Sequence, residues 1–179
     1  MEKKKVSIPL SFAIIWMVAI MVMLTLKVSH HFKIGIFLNI FFIMAVVAVS
    51  MFFQIKNEKK LYPFASNFKN SLKKSGTYMI LITIFLFCYF KFINPSFLGD
   101  LKESRLKMEL AKDWNQVKAS SPVFEEMTRE EFVEKATSSN ELLSSISLNL
   151  SFYFLGMFFM SLFFSILIPI FYKKIVLRM

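Results

Sequence analysis

Acidic residues are scarce over most of this 179-residue sequence: of 12 aspartates and glutamates, ten lie between Asn94 and Ile146, and only Glu2 and Glu58 lie elsewhere. Cysteine is almost absent. With Cys88 alone, no intramolecular disulfide can form, so any outer segment must fold without one. Its place inside an apolar run reads as a small hydrophobe. Histidine occurs only as His30-His31. Adjacent residues point in different directions, so the pair is not the spaced set that zinc favours, and no cysteine ligand is near. The acidic group Glu125, Glu126, Glu130, Glu131 and Glu134 lacks the ligand spacing and glycine turn of a calcium loop, and reads as a solvated helix face. Nucleotide loops, hydrolase elbows and metalloprotease motifs are missing. No catalytic residue, metal site or cofactor is expected, and the chain is read as not an enzyme.

What is abundant is apolar: 56% of residues are hydrophobic and 23 are phenylalanine. The excess gathers in four blocks, Ile8–Leu26, Ile34–Gln54, Thr77–Ile93 and Ser147–Tyr172. Each approaches or exceeds the roughly 20 residues that cross about 30 Å of hydrocarbon. Backbone polar groups in lipid must be satisfied internally, so the blocks are predicted helices. They lack the period-two alternation of barrel strands. The first block is longer than the roughly 7–15 apolar residues of a signal peptide, and KVSHHFK after it lacks a cleavage pattern. The expected fold is all-α: a four-helix transmembrane bundle forming one integral membrane domain over 1–179, with a connection at 55–76 and a helical loop at 94–146.

Charge gives the orientation. Lys3, Lys4 and Lys5 precede the first block; Lys56, Lys59, Lys60, Lys69, Lys73 and Lys74 lie in the second connection; Lys173, Lys174 and Arg178 follow the last block. With four spans, all twelve fall on one side. The 94–146 loop, with seven basic and ten acidic residues, falls on the other. The positive-inside rule makes the lysine-rich side and both termini cytoplasmic. The formal charge of +10 then reflects attraction to anionic headgroups, not nucleic-acid binding.

Within the lysine-rich connection, Leu61, Phe64, Phe68 and Leu72 form a helical stripe after Pro63. This suits either a short interfacial helix ending near Gly76 or a segment packed under the bundle. In the outer loop, Asn94-Pro95 ends the third span, and Ser96 is expected to cap the next helix. Leu106, Leu110, Trp114 and Val117 predict one helix, broken at Ser120-Ser121-Pro122. Thr128 and Glu131 fit a capping box, with Met127 and Phe132 as its staple. Ser138-x-x-Glu141 offers a further restart.

No carboxylate lies in any apolar block, which weighs against proton- or ion-coupled transport. Lys91 is close enough to a span end to snorkel. Asn39 and Asn149 can hydrogen-bond between helices. In the fourth block Ser147, Ser151, Ser161 and Ser165 fall on one face as two small-xxx-small pairs, the expected helix-packing stripe. Pro169 is expected to kink the inner end.

The order of these features is two spans, a lysine-rich connection, a span ending in FINPSFLGDL, an acidic helical loop and a last span ending in KK. It resembles a family of small four-span bacterial membrane proteins whose function is not established. The resemblance is clearest from Phe64 to Asn94-Pro95-x-Phe97 and in the fourth span. It implies a bacterial cytoplasmic membrane and supplies no catalytic residues. The leading expectation is a non-enzymatic protein in the lipid bilayer that works through a protein partner or a second copy, by span 4 or the outer loop. A small-solute transporter or channel subunit is the alternative.

Overall fold

Four stretches of this chain are helical over a length sufficient to cross a bilayer, and the chain is a multi-pass membrane protein. The computed structural model describes residues 7–28, 30–58 and 62–176. Lys3, Lys4, Lys5, Lys59, Lys60 and Arg178 of the basic segments, and Leu61 of the apolar stripe, lie outside the described residues. No strand occurs among the described residues.

The long helices are α1 (Ile8–Thr25), α2 (His31–Glu58), α3 (Phe64–Cys88) and, in chain order, α8 (Ile146–Val176). The shortest, α1, has 18 residues and is about 27 Å long at the usual helical rise. A tight turn joins α1 to α2. Lys27 takes a positive φ of 50°, and Val28 N–H donates to the Met23 carbonyl while Lys27 N–H donates to Leu24, the pattern of a Schellman motif.

The third span starts earlier than expected and ends at Asn94-Pro95 as expected, with an unexpected winding of its last turn. Gly76 does not interrupt it: α3 begins at Phe64 and runs through the lysine-rich segment without a break. At the other end, Tyr89–Ile93 winds as a π-helix. Asn94 N–H closes that turn on the Tyr89 carbonyl at 2.8 Å, and Pro95 prevents continuation.

The chain divides into two compact units. One comprises the residues up to Phe85 and those from Tyr153 onward; the other comprises Leu86–Phe152. In the first, the core is Ala13, Trp16, Ile20, Ile43, Val46, Val47 and Ile82, all fully buried. Many large apolar residues point outward, among them Ile15, Phe37, Phe41, Ile80, Ile84 and Phe163. In lipid this costs nothing, because acyl chains are as apolar as leucine. Trp16 Nε1–H donates to the Gly35 carbonyl at 2.9 Å, and the missing Cβ of Gly35 lets α1 and α2 approach.

The second unit carries α4 (Phe97–Leu110), α5 (Trp114–Ser120), α6 (Pro122–Glu125) and α7 (Arg129–Leu143). The single helix expected across Leu106–Val117 is two. Asp113 breaks it, because its carboxylate accepts from Asn115 N–H and caps α5. Ser96 makes no cap bond; its hydroxyl lies 3.4 Å from Asn94 Oδ1. Nor does Ser138 restart a helix. α7 runs through it, and Ser145 caps α8 instead, accepting from Leu148 N–H at 3.3 Å.

Candidate functional site

Small polar residues fill part of the first unit's interior. Along α3, Asn67, Ser71, Ser75 and Tyr78 are buried, at helical spacings of four, four and three, whereas Phe64 is 45% exposed. The face of α3 turned inward is therefore the polar one, not the apolar stripe read from Phe64, Phe68 and Leu72. Ser75 Oγ donates to the Ser71 carbonyl at 2.9 Å and lies 2.5 Å from Ser161 Oγ on α8. Nearby in the same unit, buried Asn39 joins three helices: its amide donates to the Tyr153 hydroxyl, and its carbonyl accepts from Tyr78. Tyr172 hydroxyl adds a further tie, donating to the Ala48 carbonyl at 3.1 Å.

The four-serine face of α8 divides. Ser161 and Ser165 are fully buried, while Ser147 and Ser151 are exposed. Ser165 Oγ is buried without a hydrogen-bond partner among the described residues. Asn149 turns back on its own chain, donating to the Leu143 and Ser145 carbonyls. It is a helix-start residue, not a tie between spans. Lys91 Nζ lies 5.5 Å from the centroids of the Phe87 and Phe92 rings. His31 Nδ1 lies 3.2 Å from the Val28 carbonyl.

The second unit presents a shaped surface of its own. Thr128 Oγ1 accepts from Glu131 N–H at 3.2 Å, and Glu131 Oε2 accepts from Thr128 N–H at 2.8 Å, a closed capping box. The backbone bond from Thr128, then its hydroxyl, holds the Glu131 carboxyl below its ordinary value of 4.5. With α7 started there, Phe132 meets two rings. Its centroid is 5.3 Å from Trp114 and 5.9 Å from Phe124, the latter edge-on at 87°. Lys102 bridges α4 to α7 through Glu141 at 3.3 Å.

Phe124 and Phe132 also line two hollows. The larger, about 640 Å³, has Arg105, Lys135, Asn140 and Leu143 on its walls; the smaller, about 260 Å³, has Lys112 and Val117. Glu109 lines both. Val123 lines the larger hollow, and it, Met108 and Leu142 are each more than 60% exposed on a segment otherwise rich in charge. The sequence pointed to Thr128 and Glu131, but not to this groove. Its walls come from four helices, and their break points were misplaced without Asp113.

One comparison gives a match. The model of the family described as protein of unknown function (DUF4199) matches residues 9–174, and the chain belongs to that family. No curated protein and no solved structure matches the chain.

Proposed function

We propose that the protein is a non-enzymatic component of the bacterial cytoplasmic membrane that works by protein contact, as an accessory of an envelope complex. The groove of the second unit carries this reading. Exposed Val123 and Leu143 flank an aromatic ridge of Phe124 and Phe132, and Arg105, Lys135 and Glu109 supply a polar rim. Aromatic anchors within a charged rim are the composition of a protein-binding surface. In this reading both termini and the 55–76 connection are cytoplasmic and the groove lies outside, an orientation that the lysine bias supports. In the same reading Ser161 and Ser165 are helix-packing positions within the chain, and the exposed Ser147 and Ser151 are available to another copy.

A photo-crosslinking residue at Val123 or Leu143 tests this in intact membranes. The expected result is one discrete protein adduct at both positions, lost with Phe132→Ala. Adducts to lipid alone, or none, would contradict it.

The interior row of Asn67, Ser71, Ser75, Ser161 and Ser165 favours a second reading, a small-solute transporter or channel subunit. Flux through the protein in vesicles separates the two, since a packing protein carries none.

A further inference from the structure

At the lysine-rich end of the first unit, a cavity of about 690 Å³ opens between the start of α1, the end of α2 and the basic part of α3. Its size lies within the roughly 300–1,000 Å³ of small-molecule sites. Its lining carries both signs of charge. Lys73 and Lys74 line it, as does the N-terminus of α1, whose N-cap Ser7 makes no side-chain cap bond. The first N–H groups of a helix have no intrahelical partner and carry partial positive charge. Glu58, in the final turn of α2, lines the cavity too, and the C-terminal end of a helix carries partial negative charge. Tyr62 donates a hydrogen bond to Glu58, and that carboxylate pushes the Tyr62 hydroxyl pKa up. Ser50 lines the cavity as well, and its Oγ is buried without a partner among the described residues.

A site lined by both cationic and anionic groups suits a zwitterion. Its position says which kind. Met51 and Phe53 line the same cavity and belong to the apolar block that ends at Gln54, whereas Asn57 and Glu58 lie beyond it. The cavity thus straddles the boundary between hydrocarbon and headgroups. We infer that it binds a phospholipid whose headgroup joins a phosphate to a primary ammonium, as in phosphatidylethanolamine. The phosphate lies against Lys73, Lys74 and the α1 start. The ammonium lies against Glu58 and the α2 carbonyls, with Ser50 hydrogen-bonding a phosphate or ester oxygen. A quaternary ammonium has no N–H to donate to Glu58, and a glycerol headgroup has no positive charge for it.

Native mass spectrometry of the full chain, equilibrated in mixed micelles with phosphatidylethanolamine, phosphatidylcholine or phosphatidylglycerol, reads the preference as retained lipid per protein. Retention of phosphatidylethanolamine should exceed that of the other two about tenfold, the scale of one charge-assisted hydrogen bond. Glu58→Gln should remove that preference and leave phosphatidylcholine retention unchanged. Lys73→Gln with Lys74→Gln should lower retention of all three. Glu58 is exposed, so Glu58→Gln is expected to fold and keeps the test decisive if the double lysine variant does not. Equal retention of the three lipids, tighter phosphatidylglycerol, or unchanged preference in Glu58→Gln would overturn the inference. So would soluble glycerophosphoethanolamine displacing the lipid at equal concentration, which would mark a site for a free zwitterion.

Discussion

Adding one methyl group at Gly35 should destabilise the protein, and shortening Ile20 should reverse the sign of that effect. A Cβ at Gly35 would lie 2.3 Å from Ile20 Cδ1, with Trp16 Cζ2 at 3.4 Å and Ile20 Cγ1 at 3.5 Å. Only the first is a clash. Ile20 is fully buried, so its tip cannot swing freely. Leaving its rotamer costs about 0.5–1.5 kcal/mol, and overpacking a tight core costs about 1–3 kcal/mol. Against this stands a helix-propensity gain of about 1 kcal/mol for glycine to alanine. Gly35→Ala should therefore cost a net amount up to about 2 kcal/mol. Ile20→Val deletes Cδ1 and alone should cost about 0.5–1.5 kcal/mol. In that background the alanine meets only ordinary contacts, and Gly35→Ala becomes neutral or stabilising. The coupling energy should be about 1–2 kcal/mol, well outside the roughly 0.3–0.5 kcal/mol of independent sites. Denaturant titration in a mild detergent, run on the parent, both single variants and the double, reads it directly. Additive effects would show that α1 and α2 do not meet at Gly35.

Three further outcomes test other parts of the structure. Replacing Ser161 and Ser165 together with leucine should lower the melting temperature in detergent, because both are fully buried, while the double alanine variant should melt near the parent; vesicle flux lost with alanine at unchanged stability would instead support a conduit. Thr128→Ala should cost roughly 1 kcal/mol of local stability and Thr128→Asp almost none, read by hydrogen exchange over residues 129–136, and equal protection in all three would show that the cap contributes nothing. The Glu131 carboxyl is held below 4.5 in the folded chain, so its stabilisation is full above the unfolded value and is lost as pH falls through the lower folded value; the α7 start should fray in that acid window in the parent, and Glu131→Gln, which lacks the titrating group, should show no such step.

The four spans were legible because hydrocarbon imposes one requirement on any segment that crosses it: enough consecutive apolar residues to satisfy the backbone in a helix. Which face of a span points inward was less legible, for the same physical reason. In water, the stripe of Phe64, Phe68 and Leu72 would seek the interior. Beside a bilayer, phenylalanine is at home outside, and small or hydrogen-bonding residues go between helices, as Asn67, Ser71 and Ser75 do. Ser161 was visible as a small residue at packing spacing, but its contact with Ser75 needed the fold. Thr128 and Glu131 were readable because a capping box is local, with both partners three residues apart. Asp113 was missed because an apolar repeat continues across it; the repeat says nothing about a side chain that caps a new turn. The outer groove and the lysine-end cavity each draw walls from several helices, so no short window of sequence contained them.

Both the groove's partner and the headgroup site depend on which side of the membrane each connection occupies. Single cysteines at Ala65 and Ser120, each exposed, placed in a Cys88→Ser background, measure it with a membrane-impermeant thiol reagent. A cysteine at position 120 should label in intact cells, and one at position 65 only after the membrane is opened. Labelling of position 65 in intact cells, with position 120 protected, would invert the protein and contradict the proposed topology.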